Sequence, residues 1–99
     1  MYSVSLSPRF EHDVKACAKR HWNMVALKNT MADLLKSDEE ALARRYKDHA
    51  LVGRWQGYRA IRVDSALSLA KDQWVLMHKL YDRDLAFVRT GTYEEVYGK

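Results

Sequence analysis

The stretch from residue 44 to residue 62 holds side chains that suit contact with a nucleic-acid backbone. Its six cations stand against one acid, so the segment carries a net charge of +5, whereas the whole 99-residue chain carries +4. Five of the cations are arginines, whose planar fork matches phosphate oxygens better than the ammonium of lysine does. Tyr46, Trp55 and Tyr58 are interleaved with them as surfaces on which bases could stack. The combination favours RNA over a membrane surface; the alternative is a solvated strand and loop with salt bridges to acidic helices.

A histidine lies within this basic segment. The unperturbed pKa of an imidazole, ~6.5, suits proton transfer at neutral pH, so His49 is the first candidate for a general base or acid. The alternative is a loop histidine that positions the strand that follows. Cys17 is the lone cysteine and has no Cys or His neighbours at metal-ligand spacing. The sequence therefore predicts no disulfide, no metal site and no cofactor.

The whole chain bounds these hypotheses. Its 99 residues predict a single domain, 1–99, and 47% hydrophobic residues with one Pro and four Gly exclude collagen-like and disordered classes. No apolar run approaches the ~20 residues that a bilayer span requires, and the first residues lack the pattern of a signal peptide. We expect a cytoplasmic protein with no membrane partner.

The first half of the chain reads as a strand followed by helices. Tyr2 to Leu6 alternates apolar residues with serine, which is typical of a half-buried strand, and Ser7-Pro8 reads as a helix cap and first-turn proline. The predicted helices are Pro8 to about His21, Met24 to Lys36 after an Asn23 cap, and a short third segment from Ser37.

The second half reads as strands. Tyr58 to Val63 predicts a strand with a cationic face, residues 65–72 a connection, and 74–81 with 85–90 a hairpin. Tyr93 to Tyr97 predicts a short helical or irregular tail that brings its two tyrosines together. The element order predicts an α+β fold, in which the N-terminal helices pack on one face of an antiparallel sheet and leave the other face free for a ligand.

The segment from His49 to Arg59 reads H-x-L-x-G-x-W-x-G-x-R, and this spacing resembles the YafQ branch of the RelE-like toxins. Trp74 to Leu80 and Phe87 to Thr92 are similar to that family's D-W-x-L-x-Y-K and F-x-R-T-G-T segments. The resemblance covers most of residues 46 to 98. It implies a RelE-like fold and a type II toxin, an endoribonuclease (mRNA interferase) that cuts messenger RNA in the ribosomal A site. It also implies a cognate antitoxin as partner.

The chain departs from the family pattern at its functional positions. Arg62 and Tyr93 stand where the family has histidines, and Gln73 stands where a carboxylate precedes the strand tryptophan, with Asp72 one place earlier. The segment 64–73 is several residues longer than usual, and the E-V-Y ending at Tyr97 is similar to the RelE branch. These departures motivate an alternative: a catalytically weakened RNA-binding or toxin-derived protein.

Metal-independent RNA cleavage through attack of the 2′-hydroxyl needs a base, an acid and charge stabilisation. His49 would move a proton, and Arg62 would stabilise the phosphorane where the family uses histidine. A tyrosine would protonate the leaving oxygen or stack on a base. The expected catalytic residues are His49, Arg62, Asp72, Tyr93 and Tyr97.

Further cations are expected to bind RNA phosphates. For Arg89, on the last strand, a structural salt bridge is the alternative to a phosphate contact. The expected RNA-binding residues are Lys47, Arg54, Arg59 and Arg89.

Overall fold

The computed structural model describes residues 3–36, 44, 49–63, 74–81 and 83–97. In these ranges five strands form one mixed sheet in the order β1-β5-β4-β3-β2, and helices join it in the α+β arrangement predicted from the sequence. The elements are β1 Ser3–Leu6, α1 Pro8–Lys19, α2 Met24–Lys36, β2 His49–Ala50, a 3-10 helix Gly53–Trp55, β3 Arg59–Arg62, β4 Trp74–Tyr81, β5 Asp84–Thr92 and α3 Tyr93–Tyr97.

Helix α1 begins and ends with defined caps. The Ser7 hydroxyl accepts a hydrogen bond from the Phe10 amide at 2.9 Å, and Pro8 occupies the first turn, as predicted. The helix ends at Lys19, before the predicted His21, because His21 adopts a left-handed conformation with φ 61°. The amides of His21 and Trp22 donate to carbonyls of the last turn, as in a Schellman motif.

Helix α2 has the bounds that the sequence predicted. The Asn23 side-chain oxygen accepts a hydrogen bond from the Ala26 amide at 3.0 Å, which caps the helix as expected. The apolar residues of α2 at three- and four-residue spacing face the sheet, where Leu27 and Leu34 are buried.

The main core lies between the helices and one face of the sheet. Phe10 of α1 stacks on Phe87 of β5 with ring centroids 5.6 Å apart, and Trp22 packs on Trp74 at 5.1 Å. The Trp74 indole also donates to the Thr90 hydroxyl at 2.9 Å, which satisfies its polar atom inside the core. The buried members are Phe10, Cys17, Leu27, Leu34, Ile61, Val63, Trp74, Leu76, Leu85 and Phe87.

The sheet differs from the prediction at β1. Strands β2 to β5 pair antiparallel with their neighbours, and β4 with β5 forms the predicted hairpin. Strand β1, in contrast, runs parallel to β5 at the edge of the sheet, and all four of its residues are exposed rather than alternately buried. An edge position leaves one side of the strand without a neighbour, so apolar alternation alone did not bury it.

Some predictions fall outside the described residues. They concern the third helical segment from Ser37, the connection 65–72, and two candidate site residues, Lys47 and Asp72. Within the described helices, no span is long and apolar enough to cross a membrane.

Candidate active-site cleft

One wall of the cleft is a short turn built by glycines. Gly53 and Gly57 have φ angles of 68° and 96°, a region that favours glycine; Gly53 begins the 3-10 helix that carries Trp55, and Gly57 lies two residues after its end. The Leu51 amide donates to the Tyr58 carbonyl at 2.9 Å and closes the turn. The sequence predicted glycines framing Trp55, but it missed β2, whose two residues are too few to show a period.

The strand register places His49 and Arg62 on the same face of the sheet. His49 lies opposite Ala60 in the antiparallel pair β2–β3, and Arg62 is two residues farther along β3. Side chains two residues apart on a strand point the same way. Ile61, which lies between Ala60 and Arg62 on β3, points to the helices and is fully buried. The face opposite the helices therefore carries both groups.

Helix α3 supplies the two tyrosines. Tyr93 and Tyr97 are four residues apart on one helix face, and their rings lie 4.5 Å apart, as the spacing predicted. The helix begins with a capping box: the Thr92 hydroxyl accepts from the Glu95 amide at 3.2 Å, and the Glu95 carboxylate accepts from the Thr92 amide at 2.9 Å. This reciprocal pair starts a helix of only five residues.

These elements enclose a cleft of about 520 Å³. Five of the nine predicted site residues line it, which brings proton-transfer, cationic and aromatic groups together. The lining consists of His49, Leu51, Val52, Arg54, Trp55, Arg62, Tyr93 and Tyr97.

Ring and guanidinium groups pack against one another in the cleft. The Arg62 guanidinium carbon lies 5.3 Å from the centre of the Tyr93 ring, and the Trp55 ring lies 6.3 Å from that of Tyr97. Arg54 lies over Trp55 at 5.1 Å and donates to the Tyr97 main-chain carbonyl at 3.0 Å. Arg54 thus both lines the cleft and holds the end of α3, where a cation is favoured by the helix dipole.

The electrostatics of the cleft favour an anion. Its described lining includes Arg54 and Arg62 and no carboxylate. Burial raises the pKa of the Tyr97 phenol, with a smaller opposing effect from Arg62. A tyrosine phenol is protonated at neutral pH with or without this shift, so Tyr97 is a candidate acid rather than a base.

Two predicted RNA-binding arginines lie outside this cleft. Arg59 lies opposite His78 in the register of β3 and β4. It is two residues from Ile61 on β3 and so lies on the same face of the sheet, the face that the helices cover. Arg89 forms an ion pair with Asp13 of α1, with Nε 2.7 Å from Oδ2. The structure thus shows the salt bridge that was the alternative for Arg89, and an RNA contact by either arginine stays a prediction.

The described side chains of the molecule do not form a cluster of metal ligands. No group of three or more His, Cys, Asp or Glu side chains gathers at metal-binding distance among the residues that the structure describes.

The sequence reasoning missed one pair of residues next to the cleft. The Glu95 carboxylate accepts hydrogen bonds from the Thr92 amide and from the guanidinium of Arg20, at the end of α1. Thr92-x-x-Glu95 matches the capping-box signature and could have identified the start of α3. No comparable signal connects Arg20 with Glu95, because the pair spans 75 residues of sequence.

Known proteins are similar to this chain over nearly its whole length. The family model of the bacterial toxin of type II toxin-antitoxin systems, YafQ, matches residues 2–98. The mRNA interferase toxin YafQ of Escherichia coli strain K12 is 39% identical over 95 residues, which cover 96% of this chain and 95% of that protein.

Solved structures show the same fold. The crystal structure of YafQ from E. coli strain BL21(DE3) superposes with a TM-score of 0.83 at 37% identity, covering 99% of this chain and 100% of that one. The toxin of the E. coli DinJ–YafQ toxin-antitoxin complex gives 0.77 at 35% identity, with 98% of each chain covered. These matches confirm both the RelE-like fold and the family predicted from the motifs. This chain belongs to the YafQ family of bacterial type II toxins.

Proposed function

We propose that the protein is an mRNA endoribonuclease, the toxin of a type II toxin-antitoxin pair, acting on messenger RNA in the ribosomal A site. The observation that carries the proposal is the gathering of His49, Arg62, Tyr93 and Tyr97 in one cationic cleft. The E. coli relative, an mRNA interferase by name, supports the same activity. We place the protein in the cytoplasm, where its ribosomal substrate is found.

The proposed reaction is a transfer within the RNA. His49 takes the proton of the 2′-hydroxyl, the 2′-oxygen forms a bond to phosphorus, and the bond from phosphorus to the 5′-oxygen breaks. Tyr97 gives its proton to the leaving 5′-oxygen, and the products are a 2′,3′-cyclic phosphate and a 5′-hydroxyl. A tyrosine phenol is protonated at neutral pH, so Tyr97 carries the proton that this step needs; burial raises its pKa further, which keeps the phenol protonated without making it a stronger acid.

Arg62 stabilises the charge that develops on the phosphorane. Its guanidinium cannot lose its proton, so it supplies charge and two parallel donors but no acid-base step. The contact with the Tyr93 ring holds it at one side of the cleft. Tyr93 is half-exposed, which leaves its ring available to stack on a base of the substrate.

We propose that neither a metal ion nor another cofactor takes part. Arginines in the described lining repel divalent cations, and the step needs only side chains present in the cleft. We also propose that cleavage depends on the ribosome. A ribosome that holds the 2′-oxygen, the phosphorus and the leaving 5′-oxygen in line would supply much of the rate enhancement that a single imidazole cannot. Asp72, Lys47, Arg59 and Arg89 stay predictions as additional catalytic or RNA-binding residues.

A cognate antitoxin is the proposed protein partner. The YafQ toxin of E. coli occurs in a toxin-antitoxin complex with DinJ. A cytoplasmic RNase that cuts messenger RNA must be inhibited until it is needed. The cationic cleft favours an acidic segment of the partner as its cover. In the complex, hydrogen exchange should fall at Arg62 and in α3; protection confined to the helical face would contradict this mode of inhibition.

The activity test combines cells and ribosomes. Induction of the toxin without antitoxin should arrest growth, and the purified protein should cut messenger RNA on programmed ribosomes in the presence of EDTA. A 2′-deoxy substitution at the cut nucleotide should abolish cleavage and spare binding. RNA binding without cleavage of the natural messenger would instead support the catalytically weakened protein, which is motivated by Arg62 and Tyr93 in place of histidines.

A further inference from the structure

We propose that the ion pair between Arg20 and Glu95 positions Tyr93 and Tyr97 in the cleft, so that Arg20 and Glu95 are positioning residues for RNA cleavage. The inference rests on the proposed function, because it assigns these two residues an effect on the cleavage step. Neither of them lines the cleft.

Helix α3 needs anchors outside itself. It has five residues, and an isolated helix of that length is not stable in water. Val96 anchors it by being buried against the sheet, and Arg54 binds its last carbonyl. These two contacts hold one side of the helix and its C-terminal end. A contact on the opposite side is needed to fix the rotation of the helix about its own axis.

The Arg20–Glu95 pair supplies that restraint. The Arg20 Nη1 donates to Glu95 Oε1 at 2.7 Å, and Nη2 donates to Oε2, so two parallel bonds join a planar fork to a planar carboxylate. Such a bidentate pair restricts orientation as well as distance. Glu95 Oε1 also accepts from the Thr92 amide at 2.9 Å, which ties the pair to the first residue before the helix.

The helix geometry carries the restraint to the tyrosines. Residues 93 and 97 lie on one side of an α-helix, and residue 95 lies about 200° away, on the opposite side. Arg20 caps α1 and so belongs to the helical layer on the far side of the sheet. The ion pair therefore joins to α1 the side of α3 that faces away from the tyrosines. By holding α3 in this orientation, it sets the position of the Tyr93 and Tyr97 rings relative to Arg62.

The backbone leaves room for the carboxylate. A Cβ atom at Gly91 would lie 2.8 Å from Glu95 Oε1, and Gly91 has a φ of 150°, outside the usual range of other residues. A side chain at position 91 would thus displace Glu95. Because about 38% of each side chain of the pair is exposed, solvent screens the pair; its contribution to stability should be small beside that of core packing, and its loss should act mainly on geometry.

The test removes the pair and leaves the capping box. Arg20→Met keeps the apolar stem and removes the fork. The matched control is Arg9→Met, which removes the same charge from α1, in a surface groove that Arg9 and Arg20 line together with Glu95, and leaves the Arg20–Glu95 pair in place. On programmed ribosomes, Arg20→Met should lower single-turnover kcat by about tenfold to a hundredfold with little change in KM. Arg20→Lys, which keeps the charge without the fork, should recover part of that loss.

Two further measurements separate positioning from a general structural effect. Amide hydrogen exchange at residues 93–97 should accelerate in Arg20→Met and not in Arg9→Met. In a double-mutant cycle, the Arg20→Met loss should be smaller when Tyr97 is already changed to Phe. Parent-like kcat in Arg20→Met, or an equal loss in both backgrounds, would overturn the inference. If Tyr97→Phe itself cleaves at the parent rate, the proposed role of Tyr97 fails, and the kcat of Arg20→Met alone decides about the ion pair.

Discussion

The two faces of the sheet are built from different kinds of side chain. On the face that carries the helices, Phe10, Leu76 and Phe87 are almost fully buried and pack into one apolar core. On the other face, a smaller buried cluster around Val75 and Met77 lies beneath partly exposed tyrosines, a tryptophan and arginines. The first face removes apolar area from water, and the second keeps polar groups accessible to a ligand.

This difference between the two faces predicts where a substitution should act. A change in the helix-covered core removes packing that supports the whole domain, so it should lower the free energy of unfolding. A change among the groups lining the cleft should lower the rate of cleavage and leave the stability nearly unchanged. The predictions below test that division of effects between the two faces.

Truncation of Phe87 should have the largest effect on stability. The ring is 1% exposed and stacks on Phe10 at 5.6 Å, so Phe87→Ala leaves a cavity in the main core. We expect a loss of about 3–5 kcal/mol in the free energy of unfolding. Urea denaturation measures it, with Val52→Ala as control on the cleft side, where the side chain is 83% exposed. Equal losses in the two variants would contradict the comparison.

A side chain at Gly91 should disturb the connection between the two faces. Gly91→Ala imposes a strained φ and pushes Glu95 away from Arg20, so we expect a loss of about 1–3 kcal/mol in stability together with slower cleavage. Gly57→Ala is the control, because it imposes a strained φ of 96° at a position where no atom of the described residues lies within 4 Å of the added Cβ. Thermal unfolding should show the greater loss at Gly91; the reverse order would mean that displacement of Glu95 has no cost.

Acid should weaken the same connection. Hydrogen bonding from Arg20, more than any other cause, lowers the pKa of Glu95 from 4.5 to about 2. A lowered folded-state pKa stabilises the protein above pH ~4.5, and this contribution is lost as the pH falls towards 2. The difference in melting temperature between the parent and Glu95→Gln should therefore shrink over that window. A difference that stays constant from pH 6 to pH 2.5 would show that the ionised carboxylate contributes nothing.

Relief of backbone strain at the end of α1 should have the smallest effect. His21 holds a φ of 61°, which glycine adopts at no steric cost. We expect His21→Gly to raise the free energy of unfolding by about 1 kcal/mol or less, seen as a higher melting temperature. His12→Gly, inside the same helix, should lower it by about 0.5–1 kcal/mol. Destabilisation by His21→Gly would mean that its side chain makes a contribution greater than the strain.

Local sequence signals predicted most of the fold. Caps at Ser7 and Asn23 and helical spacing predicted α1 and α2, and the four-residue spacing of Tyr93 and Tyr97 predicted the tyrosine pair. The edge position of β1 depends on which strands pair over a separation of about 80 residues, and no local pattern encodes that. The same reason explains why the Arg20–Glu95 pair, which spans 75 residues of sequence, escaped prediction.

The candidate site was predictable wherever strand alternation is regular. His49 and Arg62 follow from the motif and the period of β3, and the same period places Arg59 toward the helices, which the motif alone did not show. On β5 the register shifts at Val88, since Met77 pairs with Arg89 and His78 with Phe87. Such a bulge interrupts the alternation, so the direction of Arg89 could not be derived from its position in the strand.

The central claim is that the cleft opposite the helices cleaves messenger RNA, with Arg62 stabilising the phosphorane. The most direct test compares single-turnover cleavage on programmed ribosomes by the parent, Arg62→Ala and Arg9→Ala, an arginine of α1 that lies outside the cleft. Loss of a charge-stabilising donor costs ~2.7–4 kcal/mol in the transition state, so Arg62→Ala should cleave about a hundredfold to a thousandfold more slowly with an unchanged melting temperature. Arg9→Ala should cleave at the parent rate. Cleavage by Arg62→Ala at the parent rate would contradict the account.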